Sequence, residues 1–309
     1  MTSVNEKFTN KFIGLAALAA SACAAPMPLS GVQAQTMPGD AGAFAPASPD
    51  ALASRATYVD LVTLAENSEL VLRARIRRQT AVEPERAPGL RPGFARLYIE
   101  ADTLALIAGS ARVGQSLAYL VDVPLDESGK VPKLKKREML LFANAGGSGP
   151  RGATQLQLAS PRAQLAFSPA LGERVRSILI SLVSADQPPV ITGVSDALAV
   201  PGTLVGESET QIFLATEDGS PVSISVLRRP SQPPAWGVSW GEIIDSSART
   251  PEKGTLRWYR MACALPADLP SSANLARDPE ARRLATRDYA FVIEALGPCA
   301  RAITEPPPS

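Results

Sequence analysis

The sequence predicts an α+β protein that is mostly β, in which an OB-like small barrel or half-barrel with flanking helices precedes a second β-rich domain closed by a disulfide. Short runs of alternating apolar and polar residues recur along the chain, as expected of half-buried strands. The 28 prolines and an aromatic content of only 5% favour short strands and turns over long helices. Several such runs lie between two amphipathic segments in the first half, and closing them into a barrel would remove exposed strand edges.

The first 34 residues have the three parts of a bacterial-type export signal. Lys7 and Lys11 give a positive start, and residues 12–25 form an uncharged, mostly apolar stretch. Small residues precede a cleavage point after Ala34, so we predict that the signal peptide, residues 1–34, is removed. The apolar stretch is shorter than the ~20 strongly apolar residues of a membrane span, and an uncut N-terminal anchor is the alternative.

The residues around Cys23 suggest a further alternative, because Ala-Ser-Ala-Cys loosely resembles a lipobox and predicts a lipid anchor at Cys23. Residues 35–53 are rich in Ala, Pro, Gly and Ser, which predicts a disordered linker. We expect an N-terminal OB-like domain at 54–186 and a C-terminal β-rich domain at 187–309. The leader predicts a periplasmic or secreted protein, with a membrane-anchored lipoprotein as the alternative.

The N-terminal domain is expected to open with a short helix. Thr57 and Asp60 have the spacing of a capping box, and the apolar residues that follow fall on one face. Leu70, Leu72, Ala74 and Ile76 then alternate with Val71 and three arginines, which predicts a strand with one apolar face.

Three arginines of this strand, Arg73, Arg75 and Arg77, point to the same face. The next alternating run places Glu100 and Asp102 on one face as well. If the two strands pair, arginines and carboxylates form cross-strand ion pairs on a solvated surface. An anion-binding stripe is the alternative, and we prefer the ion pairs because the opposing strand supplies carboxylates.

Further strands are predicted at 117–123, 139–143, 155–158 and 164–167. Met139 to Phe142 is apolar on both faces, which predicts a central strand. Apolar residues between Leu171 and Leu182 then recur at helical spacing and predict an amphipathic helix.

The C-terminal domain is expected to begin with strands. Residues 190–200 read as extended, and residues 209–215 and 222–227 flank a Glu-Asp-Gly-Ser turn, which predicts a hairpin. Residues 256–263 are a further strand candidate.

The last element allows two interpretations. Asp278 is an N-cap followed by proline and an acidic first turn, which predicts a helix beginning at Pro279. We prefer a helix to Thr286 followed by a strand with Tyr289, Phe291 and Ile293 alternating. One helix from Pro279 to Leu296, ended by Gly-Pro, is the alternative.

Two cysteines, Cys263 and Cys299, remain after removal of the leader. In an oxidising compartment an even pair is most simply one disulfide. A reactive role is less favoured, because the chain has neither a CxxC spacing nor a histidine to activate a thiol.

The absence of histidine excludes much chemistry. The chain of 309 residues contains none, so Ser-His-Asp and Cys-His arrangements and histidine-based zinc sites cannot form. We also find no Walker A or dinucleotide-binding glycine motif. We therefore predict no catalytic residue, no metal site and no cofactor.

The charge balance bears on partners. The chain has 31 Lys+Arg and 30 Asp+Glu, and cleavage removes Lys7, Lys11 and Glu6, which leaves a formally neutral protein. Such a chain lacks the field that gathers nucleic acid, so we predict no nucleic-acid partner. After cleavage we also predict no transmembrane span.

Two charged clusters are better explained as solvated surface. Asp122, Asp126 and Glu127 could hold Ca²⁺, but the spacing of an EF-hand loop is absent and a proline and a glycine indicate a turn. The basic run at 133–137 follows directly and is expected to be a solvated loop.

The remaining ligand-binding candidates are Trp236, Trp240 and Trp258. Clustered tryptophans can form a binding platform, although a small β domain also uses them in its core. We predict an exported, non-enzymatic two-domain protein that binds a protein or cell-envelope partner. A histidine-free hydrolase using paired carboxylates or a Ser/Lys pair is the alternative.

Overall fold

The structure is a computed structural model that describes residues 47–149, 152–241 and 248–306. In the N-terminal part of these ranges the helices are α1 (Pro49–Arg55), α2 (Tyr58–Glu66) and α3 (Pro169–Val183). The strands are β1 (Leu70–Ala81), β2 (Phe94–Ala108), β3 (Ser116–Pro124), β4 (Glu138–Ser148), β5 (Thr154–Leu158) and β6 (Gln164–Ala166). The predicted signal peptide and Cys23 lie outside the described residues.

Strands β1 to β5 form a closed barrel. The order β1-β2-β3-β5-β4 returns to β1 through a direct β1–β4 pairing, and β6 adds to β4. Neighbours in the barrel are antiparallel except β3 and β5, which are parallel. The predicted fold class, mostly β with an OB-like barrel, is confirmed.

The two longest strands can serve a small barrel because they bend. The β1–β2 register shifts at three places, and such irregularities increase local twist and turn a strand toward a new neighbour. Gly109, directly after β2, has φ +123°, and a Cβ there would lie 2.6 Å from the carbonyl oxygen of Glu69. Glycine is therefore required where the end of β2 meets the start of β1.

Strand β4 has apolar side chains on both faces because it lies between two cores. Met139 and Leu141 pack inside the barrel with residues from β1, β2 and β3. Leu140 and Phe142 point to the other side and pack in a cluster with residues of α2 and α3. The prediction that this strand is central is confirmed, since β4 pairs with β1, β5 and β6.

The helices around the barrel begin at side-chain caps. Thr57 and Asp60 form the predicted capping box at the start of α2. Helix α1 was not expected: it begins at Pro49 with Ser48 as its N-cap, inside the segment 35–53 predicted as a disordered linker. That segment therefore does not extend to residue 53, and its residues 35–46 lie outside the described ranges.

The second sheet has the order β10-β9-β8-β7. Its strands are β7 (Ile191–Pro201), β8 (Ser208–Thr216), β9 (Val222–Arg228) and β10 (Ala235–Ser239). The hairpin predicted between β8 and β9 is confirmed, with Gly219 at φ 76° in its turn. Strand β10 was not predicted, because it is five residues long, follows two prolines and contains Gly237.

Two strand predictions in the C-terminal part are wrong. Residues 256–263 form helix α4 (Leu256–Ala262), and Thr255 caps it by accepting from the backbone N–H of Trp258. Helix α5 runs without interruption from Pro279 to Leu296, so the single-helix alternative is correct. Its buried residues include Tyr289, Val292 and Leu296, spaced by three and four as a helix requires.

The second sheet packs against α5, and one buried cluster connects it with the barrel side. That cluster contains Val62 of α2, Phe142 of β4, Val175 of α3, Ile224 of β9 and Val292 of α5. Each predicted domain, 54–186 and 187–309, contains one of the two sheets, and the division between them stays a prediction. Among the described residues, no helix is both long enough and apolar enough to cross a membrane.

Candidate functional site

A cavity of about 1010 Å³ lies beside the barrel. Its walls come from α2, the loop between β1 and β2, the facing residues of β2 and β3, and the turn after β5. The start of β7, the end of α4 and the segment 301–306 complete it. In OB barrels the face of strands 2 and 3 and the loop between strands 1 and 2 commonly bind ligands, and this cavity uses both.

One wall of the cavity is a hydrogen-bonded network between α2 and α4. The Arg260 Nη1 donates to Glu66 Oε1 at 2.6 Å, and the Tyr259 hydroxyl donates to Glu66 Oε2 at 2.9 Å. Thr63 Oγ1 lies 3.4 Å from the same hydroxyl. Burial and the charge of Glu66 raise the pKa of Tyr259, so the phenol stays protonated and acts as a donor.

Another part of the cavity wall is a cross-strand ion pair on the barrel. Arg96 of β2 and Asp122 of β3 are direct register partners. The guanidinium donates to both carboxylate oxygens, at 2.7 and 2.8 Å, and to the carbonyl oxygen of Pro88 at 3.1 Å. The hydrogen bonds to Asp122 raise the pKa of Arg96. This two-point contact gives the wall a fixed geometry.

Three further arginines, Arg91, Arg162 and Arg301, also line the cavity. Burial, together with the positive charges of Arg91 and Arg55, lowers the pKa of Arg162. Arg301 donates from Nη1 to the sulfur of Cys299 at 3.0 Å. Its buried Nε has no hydrogen-bond partner among the described residues.

The position of the segment 301–306 is set by the buried carboxylate of Asp60. The backbone N–H groups of Ala302, Ile303 and Thr304 and the Thr304 hydroxyl all donate to it, at 2.7 to 3.3 Å. Burial alone would raise the pKa of Asp60, but these hydrogen bonds and those from Thr57 outweigh it and the pKa is lowered. A charged Asp60 therefore holds residues 302–304, which follow Arg301, at the edge of the cavity.

The disulfide fixes the same region. Cys263 follows α4 and lines the cavity, and Cys299 follows α5. Their Cα atoms are 5.1 Å apart, within the usual range for a bridge, and the predicted Cys263–Cys299 disulfide is confirmed. It ties the helix that carries Arg260 to the segment that carries Arg301.

The structure does not place the three candidate tryptophans at the cavity. Trp258 is buried, and its Nε1 donates to the carbonyl oxygen of Leu296 at 2.9 Å, which is a core role. Trp236 and Trp240 are half-buried and pack on the edge of the same core, and the Arg257 guanidinium lies 5.7 Å from the Trp240 ring. A ligand contact at Trp236 or Trp240 stays a prediction.

The arginine row of β1 is held by ion pairs, as the sequence favoured, but the partners are only partly the predicted ones. Arg77 pairs with Asp102 at 3.2 Å and Glu100 at 3.8 Å. Arg73 and Arg75 pair instead with Glu138 of β4, and their hydrogen bonds lower the pKa of that carboxyl. The sequence pairing considered β2 alone, whereas closure of the barrel gives β1 a second neighbour.

The acidic and basic clusters are divided between turns and ion pairs. Asp126 accepts from the backbone N–H groups of Ser128 and Lys130, which closes a turn and lowers the pKa of Asp126. Arg137 pairs with Asp50 of α1. Within the described ranges, no group of three or more Cys, Asp or Glu is arranged to hold a metal ion.

The cavity arginines were missed by sequence reasoning. Their positions, Arg91, Arg96, Arg162, Arg260 and Arg301, span more than two hundred residues and form no local motif. Only the closed barrel and the returning C-terminal segment bring them together. No protein-family model matches the chain, and no curated protein matches it in a sequence comparison.

Proposed function

We propose that this chain is an exported, non-enzymatic binding protein that holds its ligand in the cavity between the barrel and helices α2 and α4. The observation that carries the proposal is the cavity itself. At about 1010 Å³ it is at the upper end of the range for small-molecule sites. Its polar groups converge from segments far apart in the chain and are held by ion pairs, a disulfide and a buried carboxylate.

The fixed walls favour binding over catalysis. Two of the carboxylates at the cavity, Glu66 and Asp122, each accept hydrogen bonds from an arginine, at 2.6 and 2.7 Å respectively. A hydrolase with paired carboxylates needs one that donates a proton and one that accepts it. Groups clamped by guanidinium serve better as structural supports, so the binding protein is preferred to the hydrolase.

Export is supported by the leader and by the disulfide. The leader predicts cleavage after Ala34 and a periplasmic or secreted location, and disulfides persist in oxidising compartments. Mass spectrometry of the protein from an envelope fraction tests this. A chain that begins at Gln35 is expected, a chain that keeps Met1 would contradict export with cleavage, and a lipidated Cys23 would indicate the anchored alternative.

The cavity is tested with a side chain that fills it. Ala264 lines the cavity, whereas Ala290 is exposed on α5, so Ala264→Trp and the control Ala290→Trp are purified from the native envelope. Native mass spectrometry is expected to find a bound small molecule on the wild type and on Ala290→Trp, and none on Ala264→Trp. Pro161→Trp, in an exposed turn at the cavity, is the second variant if Ala264→Trp does not fold.

Two outcomes would overturn the proposal. Equal ligand occupancy in the wild type and in the folded cavity variants would remove the cavity as the site. Hydrolysis of esters or glycosides that is lost in Glu66→Gln and Asp122→Asn would favour the hydrolase.

A further inference from the structure

We propose that the ligand of this cavity is a sugar or another polyol, whose hydroxyl groups bind the two ion pairs in the wall, Arg96–Asp122 and Arg260–Glu66. The inference rests on the proposed binding function and specifies the chemical class of the ligand. It follows from the pairing of charges at the cavity, from the hydrogen-bonding capacity that the two pairs keep, and from the apolar side chains beside them.

The carboxylates at the cavity are paired with arginines. Three carboxylates are among the described residues that line it, and each of them acts on an arginine. Glu66 and Asp122 form the two ion pairs, in which nitrogen and oxygen are 2.6 and 2.7 Å apart. Glu305 is the third: burial is the main cause of the lowered pKa of Arg162, and the charge of Glu305 opposes it. A ligand at the two pairs therefore meets a guanidinium and a carboxylate side by side.

Both pairs keep hydrogen-bonding capacity for a ligand. From described residues, Asp122 accepts two hydrogen bonds, both from Arg96, and Arg96 makes three in total. Glu66 likewise accepts two, one from Tyr259 and one from Arg260. A carboxylate has about four lone-pair sites and a guanidinium about five N–H donors, so acceptors and donors remain on both sides of the pair. The two carboxyl side chains are 26% and 28% exposed, which leaves their oxygens within reach.

A hydroxyl is the ligand group that fits such a pair. Its proton is donated to the carboxylate, and its oxygen accepts from the guanidinium. An anionic oxygen can only accept, and it is repelled by the carboxylate next to the guanidinium. An ammonium group can only donate, and the guanidinium repels it. Because the cavity has two such pairs, on the barrel and on the helices, its ligand carries several hydroxyl groups.

The rest of the cavity suits the carbon skeleton of such a molecule. Apolar side chains line it, including Leu64, Val190, Ile191 and Ile303. The C–H groups of a sugar ring can pack on these side chains while its hydroxyl groups bind the ion pairs. The volume of about 1010 Å³ is at the upper end for small-molecule sites, so there is room for more than one ring.

The first test identifies the molecule that the protein carries from the native envelope. It is released by denaturation from the wild type and from Ala264→Trp, and peracetylation followed by mass spectrometry counts its hydroxyl groups. We expect three or more hydroxyl groups on the molecule from the wild type and no such molecule from Ala264→Trp.

The second test is isothermal titration calorimetry on the purified protein freed of ligand. The probes are glucose, galactose and mannose, the uronate of each, and cyclohexanol, a six-membered ring with a single hydroxyl group. We expect at least one hexose to bind at least tenfold tighter than cyclohexanol. Its uronate is expected to bind no more than threefold tighter than the hexose, and added salt to change hexose binding little.

Matched variants locate the site on the ion pairs. Asp122→Asn replaces one accepting oxygen by an amino group and is expected to weaken the hexose at least fivefold. The ratio of hexose to cyclohexanol affinity should fall as well, whereas a merely structural change would weaken both probes alike. Asp102→Asn is the control, because Asp102 belongs to an exposed ion pair of the same barrel that does not line the cavity. Glu66→Gln repeats the test at the second pair, including the case that Asp122→Asn does not fold.

The outcomes separate this inference from the function on which it rests. A native ligand with fewer than three hydroxyl groups would overturn the polyol assignment, while the cavity as a binding site would still stand with the Ala264→Trp comparison. Failure of all three hexoses to bind, a uronate that binds tenfold tighter than its hexose, or hexose binding that neither Asp122→Asn nor Glu66→Gln affects would also overturn the assignment.

Discussion

At the scale of single residues, Asp60 has two roles, of which the sequence indicated one. Its spacing from Thr57 predicted the capping box of α2, and that box is present. The same carboxylate also accepts from three consecutive backbone N–H groups at 302–304, about 240 residues away. A local spacing rule can identify a helix cap, but it contains no information about contacts with the C-terminal segment at 302–304.

Replacing Asp60 by asparagine is expected to destabilise the protein by about 3 kcal/mol at neutral pH, because hydrogen bonds to a buried charged group are lost. The folded-state pKa of Asp60 is lowered, so this stabilisation is complete above the pKa of the unfolded group. It is lost as the pH falls through the lower folded value. Urea denaturation at neutral and acidic pH measures both effects, and the difference between wild type and Asp60→Asn should shrink toward the acidic end.

Asp126 is the matched control for this experiment. Its pKa is also lowered by hydrogen bonds from Ser128 and Lys130, but it lies in an exposed turn. Asp126→Asn should change neutral stability far less than Asp60→Asn. Equal effects of the two substitutions would contradict the role assigned to the buried carboxylate.

A second buried carboxylate, Asp288, holds α5 to the second sheet. It accepts from Arg228 Nε at 2.6 Å and from Thr210 Oγ1 at 2.5 Å and is fully buried. We expect Asp288→Ala to cost about 3–5 kcal/mol, since it leaves a largely buried guanidinium without its partner. Arg287→Ala, whose exposed side chain is 4.0 Å from the same carboxylate, should change stability by less than about 0.5 kcal/mol. Thermal or urea denaturation checks both, and a small effect at Asp288 would contradict the prediction.

At the scale of secondary-structure elements, sequence reasoning was most reliable where burial is one-sided and least reliable where helices cross a core. From Leu72 to Arg77 strand β1 alternates because one face is inside the barrel and the other is more exposed. Helix α4 instead buries residues on almost every side, namely Leu256, Trp258, Tyr259, Arg260 and Met261. Its sequence therefore shows no apolar stripe at helical spacing. Aromatic residues in a short run then suggested a strand, although Thr255 was an available N-cap.

The disulfide connects the C-terminal ends of α4 and α5, the two helices for which the sequence prediction was wrong in part. Removing it tests how much this connection stabilises the fold. The double variant Cys263→Ser/Cys299→Ser should lose about 4 kcal/mol on the chain-entropy model for a separation of 36 residues. Wild-type protein under reducing conditions should unfold at the same urea concentration as the double variant. A reduced wild type as stable as the oxidised protein would contradict a structural role for the bridge.

At the scale of the whole molecule, the barrel could be predicted from local sequence patterns, whereas the cavity could not. Apart from β4, which is apolar on both faces, the strands of the barrel have their own alternating patterns, so the number of strands and the fold class follow from local patterns. The cavity is lined by five single arginines on five separate segments, and no pattern in the chain connects Arg96 with Arg301. The site therefore depends on tertiary contacts alone, whereas the tryptophans that looked prominent in the sequence belong to the core or its edge.

The same tertiary contacts predict that both sheets unfold together. Phe142 of β4 belongs to the buried cluster that continues through α2 and α3 into the second sheet and α5. Truncating Phe142 to alanine should lower the free energy of unfolding by about 3–5 kcal/mol, and the loss should reach the second sheet as well as the barrel because the cluster is shared.

Hydrogen-exchange mass spectrometry checks this by comparing peptides from β3 with peptides from β8, which should lose the same free energy of opening. Val123→Ala, inside the barrel, is the control for a core residue outside the shared cluster. A loss confined to β3 in Phe142→Ala would instead favour two independently folding domains that divide near residue 187.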